Sequence, residues 1–287
     1  MDTILNGLSL GSIYALIALG YTMVYGIAKM LNFAHGDIIM IGAYAVLTSL
    51  SLMGAVIPSV LVAALVCTVL GILTERVAYR PLRGSSPLAV LITAIGVSYL
   101  LQSIAQLIYG TNPKPITIGN YGTVNLFGSD ISISSLLTLG VCVILMVGLT
   151  LFVNKTKLGC AMLAVSEDRD AAKLMGINSN FIITLTFAIG SFLAAFASVF
   201  YLMNTPVVNP TLGSMPGIKA FTAAVIGGIG SIPGAMVGGI LLGLIEQICK
   251  SIPALSTYTT AIEFALLIVI LLVKPTGILG KQRREKV

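Results

Sequence analysis

The stretch IIMIGAYAVLTSLSLMGAVIPSVLVAALVCTVLGILT, residues 38–74, contains no Asp, Glu, Lys or Arg. One helical crossing of a bilayer needs roughly 20 apolar residues, so this run is long enough to hold more than one. Backbone polar groups in lipid must be hydrogen-bonded internally, which restricts spanning structures to helices and closed barrels. The run is continuously apolar instead of alternating with a period of two, so it predicts membrane-spanning helices.

The same pattern extends over most of the chain. Further uncharged runs cover residues 3–28, 84–113, 131–154, 174–218 and 220–245. Charged residues make up only 9% of the sequence and the mean hydropathy is +1.03, whereas a soluble domain carries about 25% charged residues. We therefore expect an all-α polytopic membrane protein, with residues 1–287 forming a single transmembrane domain.

The expected architecture has about 8–9 transmembrane helices, some of them short or broken. The uncharged runs place the spans at residues 3–25, 31–53, 57–79, 88–109, 133–153, 181–203, 217–230, 233–250 and 257–273. Span 217–230 is short. We expect it to cross the membrane instead of re-entering, because a re-entrant segment would move the basic C-terminal tail to the outside.

The basic residues set the expected orientation. If the segments 80–87 and 154–180 and the C-terminal tail are cytoplasmic, 13 basic residues lie inside and 3 lie outside, a strong positive-inside bias. The inside group is Lys29, Arg76, Arg80, Arg83, Lys155, Lys157, Arg169, Lys173, Lys274, Lys281, Arg283, Arg284 and Lys286, and the outside group is Lys114, Lys219 and Lys250. This predicts an N-terminus outside and a C-terminus in the cytoplasm.

The charge and the cysteine content limit the classes of function that this chain can have. The net charge of +6 comes from basic residues near span ends, so no nucleic-acid partner is expected. The four cysteines form no CxxC pair, and neither a metal site nor a disulfide framework is implied. No Ser/His/Asp arrangement, metal cluster or paired carboxylate indicates an enzyme.

Two polar or glycine-rich interruptions are typical of broken helices. The first begins NFAHGD, with Asn32, His35 and Gly36, and the second contains Gly227, Gly228 and Gly230. Broken helices at membrane depth are tolerated where protein or a water-filled cavity covers them, and in transporters they often mark the binding site. Both segments are therefore candidate parts of a translocation pathway. The alternative for each is a short turn at the membrane surface.

Four ionisable residues near or within spans need an explanation. His35, the single histidine, could serve a proton relay, but its place beside Asp37 near a span end favours a local hydrogen bond. Glu246 and Lys250 are four residues apart, which indicates an interfacial ion pair. Glu263 lies within the last span, so we expect it to face protein or water and to serve a pathway or a subunit contact.

Glycines recur every four residues in several places. Gly7 and Gly11 are one such pair, and Gly230, Gly234, Gly238 and then Gly239 and Gly243 continue the spacing. Small residues at this interval let helices approach closely. Packing within the chain and a seam between two chains are both compatible with the pattern.

One sizeable polar island interrupts the apolar runs. It is TKLGCAMLAVSEDRDAAKLMGI, residues 156–177, within a predicted cytoplasmic loop 154–180. We expect a short amphipathic helix in which Leu158, Met162 and Val165 share a face, with the acidic residues opposite. Gly176 is well placed to end it. Such a helix can dock into a groove on a soluble partner.

Within this island, Asp170-Ala171-Ala172 followed by Gly176 resembles the EAA…G loop of ABC-importer permeases, with Asp where that motif usually has Glu. The resemblance implies a coupling helix that sits in a cleft of an ATPase and transmits ATP-driven closure. The residues assigned to it are Gly159, Ala164, Glu167, Asp168, Asp170, Ala171, Ala172 and Gly176. The alternative is a solvated loop with chance spacing.

Longer segments carry a more specific resemblance. LNGLSLGSIYALIALGYTMVYGI (5–27), NFAHGDIIMIGAY (32–44), ERVAYRPLRG (75–84), the polar island and AFTAAVIGGIGSIPGAMVGGILLGLIE (220–246) resemble, in order, the LivH-type permeases of branched-chain amino acid importers. The resemblance covers essentially the whole chain.

The resemblance implies a five-part importer in the bacterial inner membrane. An extracytoplasmic amino-acid-binding protein would deliver leucine, isoleucine or valine to a pathway formed with a second, LivM-like permease. Two LivG/LivF-like ATPase subunits would bind ATP and Mg, since this chain contains no GxxxxGK[ST] phosphate loop and is expected to bind no cofactor itself.

Two rival functions remain open from the sequence. The same architecture could import urea, an amide or another small polar solute. An ion-coupled secondary transporter or channel is the other rival, although the sequence lacks an obvious midplane set of acidic coupling residues.

Overall fold

The computed structural model describes residues 2–119, 122–126 and 129–280. Helices dominate. In chain order they are α1 (Asp2–Ala28), α2 (His35–Met53), α3 (Val56–Thr74), α4 (Pro87–Tyr109), α5 (Ile133–Lys155), α6 (Lys157–Glu167), α7 (Arg169–Leu174), α8 (Ser179–Asn204), α9 (Ser214–Gly227), α10 (Ile232–Ser251), α11 (Pro253–Ser256) and α12 (Thr259–Val273). A π-helical turn (Glu75–Tyr79) and a 3-10 turn (Arg80–Leu82) extend α3.

Each predicted span coincides with a helix. In the described part of the chain, seven helices are long and apolar enough to cross a membrane, including α3 with its extension. The two shorter ones are α9, with 14 residues, and α12, with 15. The prediction of a helical polytopic membrane protein is confirmed, whereas a full crossing by α9 stays a prediction.

The loops of this all-α fold contain short strands. Two small antiparallel ladders form in the loops: β1 (Lys114–Pro115) pairs with β4 (Val207–Val208), and β2 (Thr123–Leu126) pairs with β3 (Ser129–Ser132). The first ladder joins the loops that follow α4 and α8, where Ile116 N–H also donates to the Pro206 carbonyl at 3.1 Å. Extended loop backbone satisfies its polar groups by this pairing.

Helix α1 lies at the centre of the fold. Most of its apolar length is buried, and it makes its most extensive contacts with α10, followed by α8, α9 and α5. Two glycines of the series serve this contact: Gly239 lies against the backbone of Ala15, and Gly243 lies against Gly11. Gly234 and Gly238 pack on α9 instead. A β-carbon on Gly239 or Gly243 would overlap the α1 backbone, so the spacing is explained by packing within the chain.

Helices α3, α4 and α5 lie at the periphery. Their apolar stretches are only 28, 22 and 28% buried, respectively. Exposed apolar surface on this scale is typical of contact with lipid or with another membrane subunit.

Lys219, which the charge pattern assigns to the outer side, lies inside α9 and is 8% exposed, because two carboxylates from other helices surround its ammonium group. It shares Glu246 with Lys250, another residue of the outer group. The side of the membrane on which both lie stays a prediction. Four residues assigned to the inside, Lys281, Arg283, Arg284 and Lys286, lie outside the described residues.

Candidate functional site

The polar island forms two helices, not the single amphipathic helix expected. Thr156 follows α5 directly and caps α6, since its hydroxyl accepts the Gly159 N–H at 3.0 Å. The break falls at Asp168, whose carboxylate accepts the N–H groups of Asp170 at 2.8 Å and Ala171 at 3.0 Å. Asp is a strong N-cap residue, and an N-cap has extended backbone, so it ends α6 and begins α7. The Ala171 and Asp170 N–H groups lower the pKa of Asp168 below its ordinary value.

The apolar face predicted for this segment is only partly buried in the structure. Leu158, Met162 and Val165 lie on one face of α6, as their spacing of four and three residues predicts. Met162 and Val165 are buried, whereas Leu158, in the first turn, is 41% exposed. A single residue joins α5 to α6, and this sharp turn presses Gly159 against the carbonyls of Phe152 and Val153.

The exposed side carries the acidic residues. Glu167, Asp168, Asp170 and Ala171 are exposed, Ala164 is half-buried, and Ala172 is buried. Asp170 pairs with Lys173 at 2.9 Å. Gly176 has φ +82° and ends α7 as predicted: it donates to the Lys173 carbonyl while Ile177 donates to that of Ala172, which is the Schellman pattern.

Sequence reasoning missed two apolar residues on this surface. Leu174 is 89% exposed and Met175 is 83% exposed, at the end of α7. A pair of large apolar residues directly before a helix-ending glycine, inside a polar segment, is the signal that could have identified them. We call Glu167, Asp168, Asp170, Leu174 and Met175 the α6–α7 surface. Exposed apolar side chains bordered by polar ones are typical of a protein-binding surface.

The α6–α7 surface is fixed to the membrane helices. The Arg169 guanidinium donates to the Ala28 carbonyl at the end of α1. Helix α6 also packs against α5 and α8. This surface is therefore in direct contact with three long helices, α1, α5 and α8.

The first candidate break lies inside the protein. Asn32, His35, Gly36 and Asp37 are all buried at the start of α2. Gly36 lies so close to Gly213 and Gly217, at the start of α9, that a β-carbon on it would overlap the Gly213 carbonyl.

The polar groups at this break are incompletely paired. Tyr79 donates to Asn32 Oδ1 at 2.7 Å, and Gln102 donates to Asp37 at 2.9 Å. His35 Nε2 and Asn32 Nδ2 have no hydrogen-bond partner among the described residues. Asp37 thus pairs with α4, and the His35 ring instead meets the edge of Tyr21 at a centroid distance of 4.9 Å. Buried, unpaired polar groups of this kind are uncommon and are a feature of functional sites.

The second candidate break is a covered turn between α9 and α10. Gly228 and Gly230 have φ values of +112° and +92°. The segment after α12 packs over the turn, with Ile278 and Leu279 donating to the carbonyls of Ile226 and Gly227 at 2.9 Å each. Gly36 contacts the other end of α9, about 20 Å away along a helix of 14 residues. The structure does not bring the two breaks together.

Glu263 belongs to a third, separate cluster. The ammonium of Lys219 lies 2.9 Å from Glu246 and 3.2 Å from Glu263. Tyr14 donates to Glu246 at 2.7 Å, and Lys250 pairs with the other oxygen of Glu246 at 2.7 Å. The predicted Glu246–Lys250 pair is present, but Glu246 is buried and the pair is one part of a larger cluster. We call Tyr14, Lys219, Glu246, Lys250 and Glu263 the Lys219 cluster.

The Lys219 cluster joins helices distant in sequence. It ties α9 to α10 and α12, and Tyr14 connects it to α1. The expectation that Glu263 faces protein is confirmed by its contact with Lys219. Lys219 was missed because its partners lie 27 and 44 positions further along the chain, beyond the reach of any helical spacing rule.

Comparisons with known proteins agree with this architecture. A family model described as "Branched-chain amino acid transport system / permease component" matches residues 3–271. The whole chain is 46% identical to the high-affinity branched-chain amino acid transport system permease protein BraD of Pseudomonas aeruginosa and covers 98% of it. It is 44% identical, again over its full length, to the permease protein LivH of Escherichia coli, of which it covers 97%.

A solved structure shares the fold at lower similarity. PsaBC from Streptococcus pneumoniae in complex with Fab matches with a TM-score of 0.50 and 14% identity, over 96% of this chain and 93% of that one. Together with the apolar helices, the sequence relatives define a multi-pass membrane protein. The chain belongs to the family of permease components of branched-chain amino acid transport systems.

Proposed function

We propose that this chain is the permease subunit of an ATP-driven importer of branched-chain amino acids in a bacterial inner membrane. One observation carries the proposal: the chain is 46% identical over its full length to BraD, a high-affinity branched-chain amino acid permease protein. An identity of this size over the whole chain supports a shared cargo as well as a shared fold.

Four further types of subunit complete the proposed importer in the manner of LivH-type systems. A second, LivM-like permease packs beside this chain, and the exposed apolar flanks of α3, α4 and α5 offer area for that contact. LivG- and LivF-like ATPases bind ATP and Mg on the cytoplasmic side. An extracytoplasmic binding protein delivers the amino acid. The proposed orientation, with the N-terminus outside, places the α6–α7 surface towards the ATPases.

The α6–α7 surface is the proposed coupling site. Its carboxylates face basic groups on an ATPase, and Leu174 and Met175 enter an apolar groove there. Closure of the ATPase pair then shifts α6 and α7. Because Arg169 is bonded to the end of α1, and α6 packs on α5 and α8, this shift changes the helix arrangement that opens the pathway.

The buried start of α2 is the proposed wall of the pathway. Asn32, His35 and Gly36 supply backbone and side-chain polar groups in an otherwise apolar interior, suited to the charged ends of a zwitterion. Gly227, Gly228 and Gly230 instead form a turn that supports α9, and Glu263 holds α12 through Lys219. Asn32→Ala is expected to reduce uptake at unchanged expression, whereas Asn209→Ala, in the loop before α9, leaves it intact.

The proposed cargo is tested by uptake in cells. A strain without its own branched-chain amino acid uptake would express this chain with its partner subunits and receive labelled leucine. We expect saturable uptake that unlabelled isoleucine and valine reduce, with no effect of urea or acetamide. Inhibition by urea or acetamide, with isoleucine and valine inert, would overturn the cargo assignment.

A further inference from the structure

A cleft of about 380 Å³ opens where the end of α3 meets the beginning of α8, apart from the α6–α7 surface and the Lys219 cluster. Its walls include Ile72, Arg76 and Arg80 on one side and Asn180, Thr184 and Leu185 on the other. The two helices run antiparallel, with Gly71 packed against Ser191. The cleft therefore lies at one end of two long apolar helices, at the level of a membrane surface.

The polarity of the cleft changes along its length. Ile72, Arg76 and Arg80 are spaced by four residues and form one row along α3 and its extension. On α8, Asn178 and Asn180 begin the helix, while Leu185 and Ala188 lie one to three turns deeper. Polar groups thus line the outer end of the cleft and apolar groups its inner end. Val77 and Phe181, 74 and 54% exposed, flank it with apolar surface.

The two arginines in the cleft have no anionic partner among the described residues. Arg76 and Arg80 are exposed, and their side chains form no ion pair or hydrogen bond there. The nearest carboxylate, Glu75, is occupied, because one oxygen binds Arg83 and the other accepts the Thr184 hydroxyl at 2.7 Å. Two uncompensated guanidinium groups beside an apolar wall form a binding site for an amphipathic anion.

We propose that this cleft binds an anionic phospholipid, with the phosphate on Arg76 and Arg80 and an acyl chain along Ile72, Leu185 and Phe181. Basic pockets between membrane helices at the cytoplasmic side are suited to anionic headgroups. A soluble phosphate fits the arginines but leaves the apolar inner wall uncovered, and a zwitterionic lipid lacks the net negative charge. The inference requires a membrane location for these helices and is independent of the cargo.

Lipid binding to the purified full-length chain tests the proposal. Native mass spectrometry would measure phosphatidylglycerol and phosphatidylcholine adducts on the wild type, on Arg76→Gln/Arg80→Gln and on Arg76→Lys/Arg80→Lys. The matched control is Lys155→Gln/Lys157→Gln, which removes the same charge from exposed residues outside the cleft. We expect phosphatidylglycerol preference in the wild type, about tenfold weaker binding in the glutamine variant, retention in the lysine variant and no change in the control.

Three results would overturn the proposal. The first is equal binding of phosphatidylglycerol and phosphatidylcholine by the wild type. Equal phosphatidylglycerol affinity for Arg76→Gln/Arg80→Gln and for the control Lys155→Gln/Lys157→Gln would show that the lipid does not bind in the cleft. Full displacement of the lipid by millimolar inorganic phosphate would indicate a free-anion site. Co-purification of each variant with the ATPases is measured in parallel. If Arg76→Gln/Arg80→Gln loses the ATPases and keeps the lipid, the two arginines contact a protein instead of a lipid. Since none of these readouts involves uptake, failure of the proposed cargo leaves them interpretable.

Discussion

At the scale of single residues, Lys219 holds together two buried carboxylates. Lys219→Met would leave Glu246 and Glu263 in an apolar interior with only the half-exposed Lys250 as a cation. Breaking a buried ion pair on one side costs about 3–5 kcal/mol. We expect a clear fall in the melting temperature of the detergent-purified chain.

Two variants make the Lys219 experiment specific. Lys250→Met removes the same charge from the exposed end of the cluster and should lower the melting temperature much less. Lys219→Met/Glu263→Gln should recover part of the loss, because one unpaired carboxylate is removed. A Lys219→Met protein as stable as the wild type would refute the assigned role of the cluster.

Gly239 provides a second prediction at this scale. Gly239→Ala places a methyl group on the backbone of Ala15, so we expect a loss of about 1–3 kcal/mol from overpacking. Gly140→Ala on α5 is the control: its β-carbon meets open space, and alanine favours the helix. The melting temperatures of both variants, measured by thermal unfolding, test this prediction: only that of Gly239→Ala should fall. Equal melting temperatures would show that α1 and α10 do not pack as described.

At the scale of elements, α6 and α7 carry the coupling hypothesis. Reversal of three charges, Glu167→Lys/Asp168→Lys/Asp170→Lys, should abolish uptake and weaken ATPase co-purification at normal membrane insertion. Asp168 also caps α7, so Asp168→Asn is the matched control: asparagine keeps a cap, and most activity should remain. Undiminished uptake in the triple variant would remove α6 and α7 from the coupling mechanism.

Leu174 and Met175 allow an independent test of the same element. Both are almost fully exposed, so Leu174→Ser/Met175→Ser should leave the melting temperature of the isolated chain unchanged. If they enter a groove on an ATPase, the variant should lose ATPase in a pull-down from solubilised membranes. Retention of ATPase would limit the coupling contact to the carboxylates.

Elements of the fold were predictable to different degrees. Long apolar runs identified each membrane helix, because lipid demands roughly 20 apolar residues per crossing. The break at Asp168 was not foreseen, because the apolar spacing of Met162 and Val165 predicts a single amphipathic helix here and gives no sign of where it ends. The amphipathic pattern favours one continuous helix, whereas the Asp168 cap favours the start of a new one. The structure has the new helix, α7, beginning after Asp168. The Lys219 cluster depends on pairing across helices, which no local pattern encodes.

At the scale of the whole molecule, orientation can be read from native thiols. Cys160 on α6 is exposed, whereas Cys67, Cys142 and Cys249 are buried. We expect Cys160 to react with a membrane-permeant maleimide in intact cells and not with an impermeant one. Thr111→Cys, in an exposed loop after α4, should react with both when placed in a Cys160→Ser background. The opposite labelling pattern would invert the proposed topology.

The central claim is that this chain forms a pathway powered by ATP hydrolysis in other subunits. Its most direct test is reconstitution in liposomes of this chain, the second permease, both ATPases and the binding protein, with labelled leucine outside and ATP inside. The account predicts accumulation of leucine that stops when ATP, the ATPases or the binding protein is left out. Leucine accumulation by this chain alone, driven by an ion gradient without ATP, would contradict it.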